Sequence, residues 1–144
     1  MDRRSYLATV GGVAAGGLAG CIGSDSSDGD YDVGMSTRDF RPEVLEVPPG
    51  TTVTWQNTSG TGHTVTAYEN GIPDAAEYFA TGEFASEQAA VSAWRDGGGG
   101  GLYAGNSYEH TFEIEGEYNY YCIPHEMSGM KGVVVVSESA TPLE

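Results

Sequence analysis

Residues 107–136 read SYEHTFEIEGEYNYYCIPHEMSGMKGVVVV, and the fold is decided in this stretch. Tyr108, His110, Phe112 and Ile114 share one face, while Glu109, Thr111, Glu113 and Glu115 share the other. Alternation with period two predicts a half-buried antiparallel strand. Glu115-Gly116-Glu117 predicts a turn into a second strand, Tyr118 to Cys122, and the apolar run Val133–Val136 predicts a buried closing strand. Upstream, residues 43–47 (EVLEV) run into a Pro48-Pro49-Gly50 turn, and Thr51–Trp55 is rich in β-branched and aromatic residues with Val53 and Trp55 on one face. His63–Ala67 alternates again. Short strands joined by turns predict an all-β sandwich.

The middle of the chain follows another pattern. Asp74 to Glu77 (DAAE) has the form of a capping box, and Ser86 precedes a second helix-compatible stretch, EQAAVSAW. Both are too short to be stable alone, so residues 74–94 are expected to pack against the sandwich as a short helical insertion. Asp96 is followed by five glycines, 97–101, with no Lys-Ser/Thr after them, which predicts a flexible connection rather than a phosphate cradle.

The chemistry concentrates in the loop after Tyr121. Cys122, His125 and Met130 place a thiol, an imidazole and a thioether between two predicted strands, and His63 offers a second imidazole from an earlier segment. Two histidines and one cysteine with a weak axial methionine form the ligand set of a blue copper site. Pro124 stiffens the loop, and Gly129 allows the sharp turn that aims Met130 back at a metal. Met127 competes for the axial role, but its shorter offset demands a tighter loop without the Gly129 turn. His110 falls on the core face of its strand and is expected to be a hydrogen-bonded structural residue. Tyr118, Tyr120 and Tyr121 read as sandwich packing.

The stretch YYCIPHEMSGM (residues 120–130) resembles the copper loop of the cupredoxins, the type 1 blue copper proteins, and is most similar to plastocyanin-like members. The resemblance runs from about Val44 to Val136. It implies a cupredoxin-like Greek-key β-sandwich over residues 31–144 that binds one copper, cycling between Cu(I) and Cu(II). It further implies that His63, Cys122 and His125 are equatorial ligands and Met130 the axial one. The insertion departs from a minimal cupredoxin.

The N-terminal residues read as an address. Arg3 and Arg4 precede a modest apolar run through Leu18 and Ala19, with five glycines among residues 5–20, which is short for a membrane span. This predicts a twin-arginine export signal over residues 1–20. Leu18-Ala19-Gly20-Cys21 resembles a lipobox, which implies a lipidated Cys21 at the mature N-terminus. Residues 21–30 then form an acidic flexible spacer. The location implied is extracytoplasmic, anchored by lipid to the outer face of the cell membrane.

Composition narrows the function classes. With glycine counted in place of tyrosine, about 48% of the 144 residues are apolar, within the range of one globular domain. Six basic residues stand against 21 acidic ones, a formal net charge of −15, and Lys131 is the only lysine. Such a chain lacks the basic stripe that nucleic acid requires. Removal of residues 1–20 leaves a net −16, the balance of a protein suited to molar salt, where screening relieves self-repulsion. Signal, lipobox, spacer and acidity together resemble the halocyanins of salt-loving archaea. The expected function is a monomeric one-electron carrier, not an enzyme, between membrane-bound donor and acceptor proteins. A copper-delivery protein is the alternative. A self-contained copper enzyme needs further histidines, and only His110 remains. With Cys21 lipidated, Cys122 has no disulfide partner.

Overall fold

A computed structural model describes residues 31–143. The expected export signal, the lipidated Cys21 and the spacer lie outside these residues. Eight strands are present among the described residues: β1 (Val33–Met35), β2 (Phe40–Arg41), β3 (Val44–Val47), β4 (Thr51–Asn57), β5 (Thr66–Ala67), β6 (Ser107–Phe112), β7 (Gly116–Tyr121) and β8 (Lys131–Val136). They form two four-stranded sheets, ordered β2-β1-β4-β6 and β3-β8-β7-β5. β1 runs parallel to β4, with Val33 opposite Trp55, and β3 runs parallel to β8, with Val44 opposite Val133; the other pairs are antiparallel. Parallel neighbours cannot be joined by a hairpin, so the chain crosses between sheets, as a Greek-key sandwich requires.

The alternation read from the sequence is what fills the core. Val53, Trp55 and Asn57 point inward from β4, and Phe112 does so from β6. Tyr118, Tyr120, Val134 and Val136 answer from the other sheet. Trp55 sits at the centre, with Phe79, Tyr108, Phe112 and Tyr120 around it at ring-centroid distances of 5.4–6.2 Å. Ile114 does not join this face, because β6 ends at Phe112 and Ile114 is exposed.

Part of the insertion differs from expectation. Residues 87–95 form a helix, α1 (Glu87–Arg95), whose Ser86 N-cap hydroxyl accepts the Ala89 N–H at 3.1 Å, as the sequence predicts. Asp74–Glu77 is not helical: Ala76 N–H bonds to the Pro73 carbonyl in a single turn, and the chain then extends. Four residues cannot repay helix nucleation without an apolar face to bury. The glycine run is not a loose connection either. It winds tightly under residue 81, and a Cβ at Gly100, whose φ is +83°, would lie 2.7 Å from the Thr81 carbonyl oxygen. That close approach delivers Leu102 to a two-way backbone bridge with His63, His63 N–H to Leu102 O at 3.0 Å and Leu102 N–H to His63 O at 2.7 Å.

Candidate metal centre

At one end of the sandwich, three donor atoms converge. His63 Nδ1 and His125 Nδ1 each lie 3.4 Å from Cys122 Sγ, and all three atoms fall within 4.8 Å of one another. His63 arrives on the Leu102 bridge rather than within a regular strand, since β5 begins only at Thr66. Cys122 follows directly on β7, and its parity with Tyr118 and Tyr120 turns it inward, where it is fully buried. His125 comes from a 3-10 turn over Ile123–Ser128 and is half-buried.

The loop closes on itself through its own backbone. His125 N–H bonds to Cys122 O at 3.1 Å, Met130 N–H to His125 O at 3.2 Å, and Cys122 N–H to Met130 O at 3.1 Å. Gly129, at φ +90°, supplies the left-handed residue that ends the turn. Met130 is thereby carried into the core with no exposed surface, while Met127 stands fully exposed. Met130 is thus not part of any surface patch around His125.

Thr64 stabilises the thiol side. Its N–H points at Cys122 Sγ from 3.5 Å, and its hydroxyl oxygen accepts the Ile123 N–H at 2.9 Å, tying the His63 segment to the Cys122 loop. Glu87, on the insertion helix, reaches the same end of the molecule. Its Oε2 accepts the Tyr121 hydroxyl at 2.9 Å, and its Oε1 and backbone N–H pair reciprocally with Glu69. Tyr121 stacks on Tyr68 at 4.3 Å, and the Tyr68 hydroxyl donates to Glu126 Oε2 at 2.8 Å. Tyr121 is therefore a tie between insertion and metal loop as well as packing. Glu87 carried no signal in the sequence beyond its place in the first helical turn. His110 stays apart from the three donors, stacked on Phe79 at 4.7 Å with Phe112 at its edge, so rings hold it where a hydrogen-bonded histidine was expected.

Protonation fits metal capture. Burial lowers the pKa of His63, with His125 beside it adding to the effect and the Ser36 carbonyl opposing it. Burial, helped by Arg38, also lowers that of His125. Burial pushes the Cys122 thiol up to about 11 against the N–H groups of Thr64 and His125. At neutral pH the metal-free site thus holds two neutral imidazoles and one thiol, and binding a metal releases the thiol proton. Because the folded thiol pKa lies above its unfolded value, its contribution to stability is complete below about pH 8.5 and is lost as pH rises through about 11. Urea titrations of the metal-free protein at pH 8 and 11 should therefore differ by about 2–3 kcal/mol more in the native chain than in Cys122→Ser.

One sulfur and two imidazoles beside a buried thioether suit copper in both oxidation states. Residues 29–137 match the family described as copper binding proteins, plastocyanin/azurin family. The chain belongs to that family. Plastocyanin of Scenedesmus fuscus is 32% identical over 97 residues, covering 67% of this chain and 85% of that protein. A purple cupredoxin from Nitrosopumilus maritimus superimposes with a TM-score of 0.50 at 28% identity, covering 74% of this chain and all of that one. Amicyanin from Paracoccus versutus does so with a TM-score of 0.51 at 25% identity, over 73% and 78%. The cupredoxin fold and a single type 1 copper cofactor follow from these observations, and cupredoxins of this family are electron carriers rather than enzymes.

Proposed function

We propose that this cupredoxin is a one-electron carrier of the halocyanin type, with His63, Cys122 and His125 as equatorial ligands and Met130 as the axial one. The observation that carries the reading is the convergence of two Nδ1 atoms on one buried Sγ, with Met130 buried behind the same loop and Met127 outside it. Copper held there supplies one reversible electron. The chain supplies rigidity: the Thr64 and Met130 backbone bonds hold the donors in place whichever charge the site carries. His63, Cys122 and Met130 have no exposed surface, which supports carriage over copper delivery, where the metal must leave readily.

Electrons pass through the half-buried His125 edge, beside the exposed Met127. A small apolar contact there docks a partner closely and releases it quickly. Met127→Glu places like charges face to face in self-exchange, which should slow about tenfold, equivalent to ~1.4 kcal/mol, while the visible spectrum stays nearly intact. Molar salt, with a Debye length of ~3 Å, removes the distant acidic surface from the comparison. Unchanged self-exchange under those conditions would sink the His125 route.

The proposal places the carrier outside the cytoplasm, anchored through lipid on Cys21 to the outer face of the membrane and serving membrane-associated donor and acceptor proteins. The lipobox-like Leu18-Ala19-Gly20-Cys21 and the acidic balance support this arm. The mass of the mature protein from its native membrane reads it directly. A mature chain that begins elsewhere, or an unmodified Cys21, would remove the anchor.

A further inference from the structure

His63 bears a second polar network on the ring edge that faces away from Cys122. Its Nδ1 lies 3.4 Å from Cys122 Sγ, and its Nε2 lies 3.2 Å from Ser59 Oγ. A neutral imidazole carries one ring proton, so only one of these nitrogens can offer a lone pair to a metal. Which one does is set by the direction of the hydrogen bonds around Ser59.

Asn57, fully buried at the end of β4, sets that direction. Its Nδ2 lies 2.7 Å from the Thr61 carbonyl and 2.8 Å from the Leu102 carbonyl. Carbonyl oxygens only accept, so the amide NH2 must face both of them and Oδ1 must be the acceptor on the other side. Oδ1 accepts the Ser59 N–H at 2.9 Å and the Ser59 hydroxyl at 2.8 Å. The alternative acceptor for that hydroxyl, Thr61 O at 3.3 Å, also draws its proton away from His63. Ser59 Oγ is thus left to accept from Nε2. Ser59 therefore demands an Nε2–H.

We propose that Asn57 and Ser59 are positioning residues that hold His63 as its Nε2–H tautomer, so that Nδ1 presents its lone pair toward Cys122 before copper arrives. The proposal rests on His63 being a copper ligand. The Leu102 bridge completes the device, since the same carbonyl that orients the Asn57 amide accepts the His63 backbone N–H. Outer partners of this kind change metal affinity by about 10–100-fold when removed.

The test uses the full chain, stripped of copper and 15N-labelled at histidine, with long-range proton–nitrogen NMR reporting which His63 nitrogen is protonated. The native protein should show a single form, protonated at Nε2. Ser59→Ala should give a mixture of tautomers and a loss of about tenfold in Cu(I) affinity against the chelator bicinchoninate. Ser59→Thr, which keeps the hydroxyl, should restore both. A native His63 protonated at Nδ1 would overturn the proposal, and that measurement needs no variant to fold. An unchanged tautomer in Ser59→Ala would overturn it too, even if affinity fell, because the loss would then be one of packing. If the native protein failed to take up one copper, the ligand reading would fail instead, and the tautomer result would stand apart from it.

Discussion

Cys122→Ser is expected to abolish the intense blue colour of the oxidised copper protein. That colour arises from thiolate-to-copper charge transfer, and Cys122 is the free cysteine of the described residues. A serine hydroxyl there keeps nearly the same volume but ionises far less readily, so the anionic donor is lost. The fold should survive, because Cys122 contributes its backbone bond to Met130 in either form. Visible absorption of the copper-loaded variant checks this, and a variant that stays blue would sink the assignment. The axial position behaves differently. Met130→Leu keeps the colour, since the axial bond is long and weak, and raises the reduction potential because Cu(II) loses more than Cu(I) when a donor goes. Met127→Leu should leave the potential alone, and the reverse pattern would exchange the roles of the two methionines.

Trp55→Ala should cost about 3–5 kcal/mol of unfolding free energy, much of what a small domain has to lose. Its indole is fully buried and touches rings from both sheets and from the insertion, so truncation opens a cavity where three parts of the core meet. Trp55→Phe should cost far less. It keeps an aromatic ring and removes Nε1, which is buried beside the Tyr120 hydroxyl without a well-formed hydrogen bond. Urea unfolding of the two variants separates packing from the polar group. Equal losses would show that the full indole area, and not merely an aromatic filler, is required.

Much of this protein is legible along the chain because the deciding signals are local. The period-two pattern of β6, the Ser86 cap and the spacing of Cys122, His125 and Met130 each span no more than about one strand or turn. Backbone geometry alone converts such patterns into structure. The capping-box reading of Asp74–Glu77 failed on the same ground, since a cap without a helix-length apolar face has nothing to stabilise. The glycine run misled because five residues without side chains look loose, whereas the lack of a Cβ is what lets Gly100 pack against Thr81 and Gly99 against Ala93.

Other features depend on contacts between distant residues, and no window of sequence contains them. His63 meets Cys122 across 59 residues, Asn57 reaches Leu102 across 45, and Glu87 reaches Tyr121 across 34. Burial separates Met130 from Met127, two thioethers three residues apart in one loop, in the sense that the Gly129 turn already favoured. The donor types were therefore readable from composition and order. Which nitrogen of His63 faces the sulfur and what braces the loop were settled only by closure of the sandwich. Hydrogen-bond direction and exclusion of water are properties of packed neighbours, and those neighbours lie tens of residues apart along the chain.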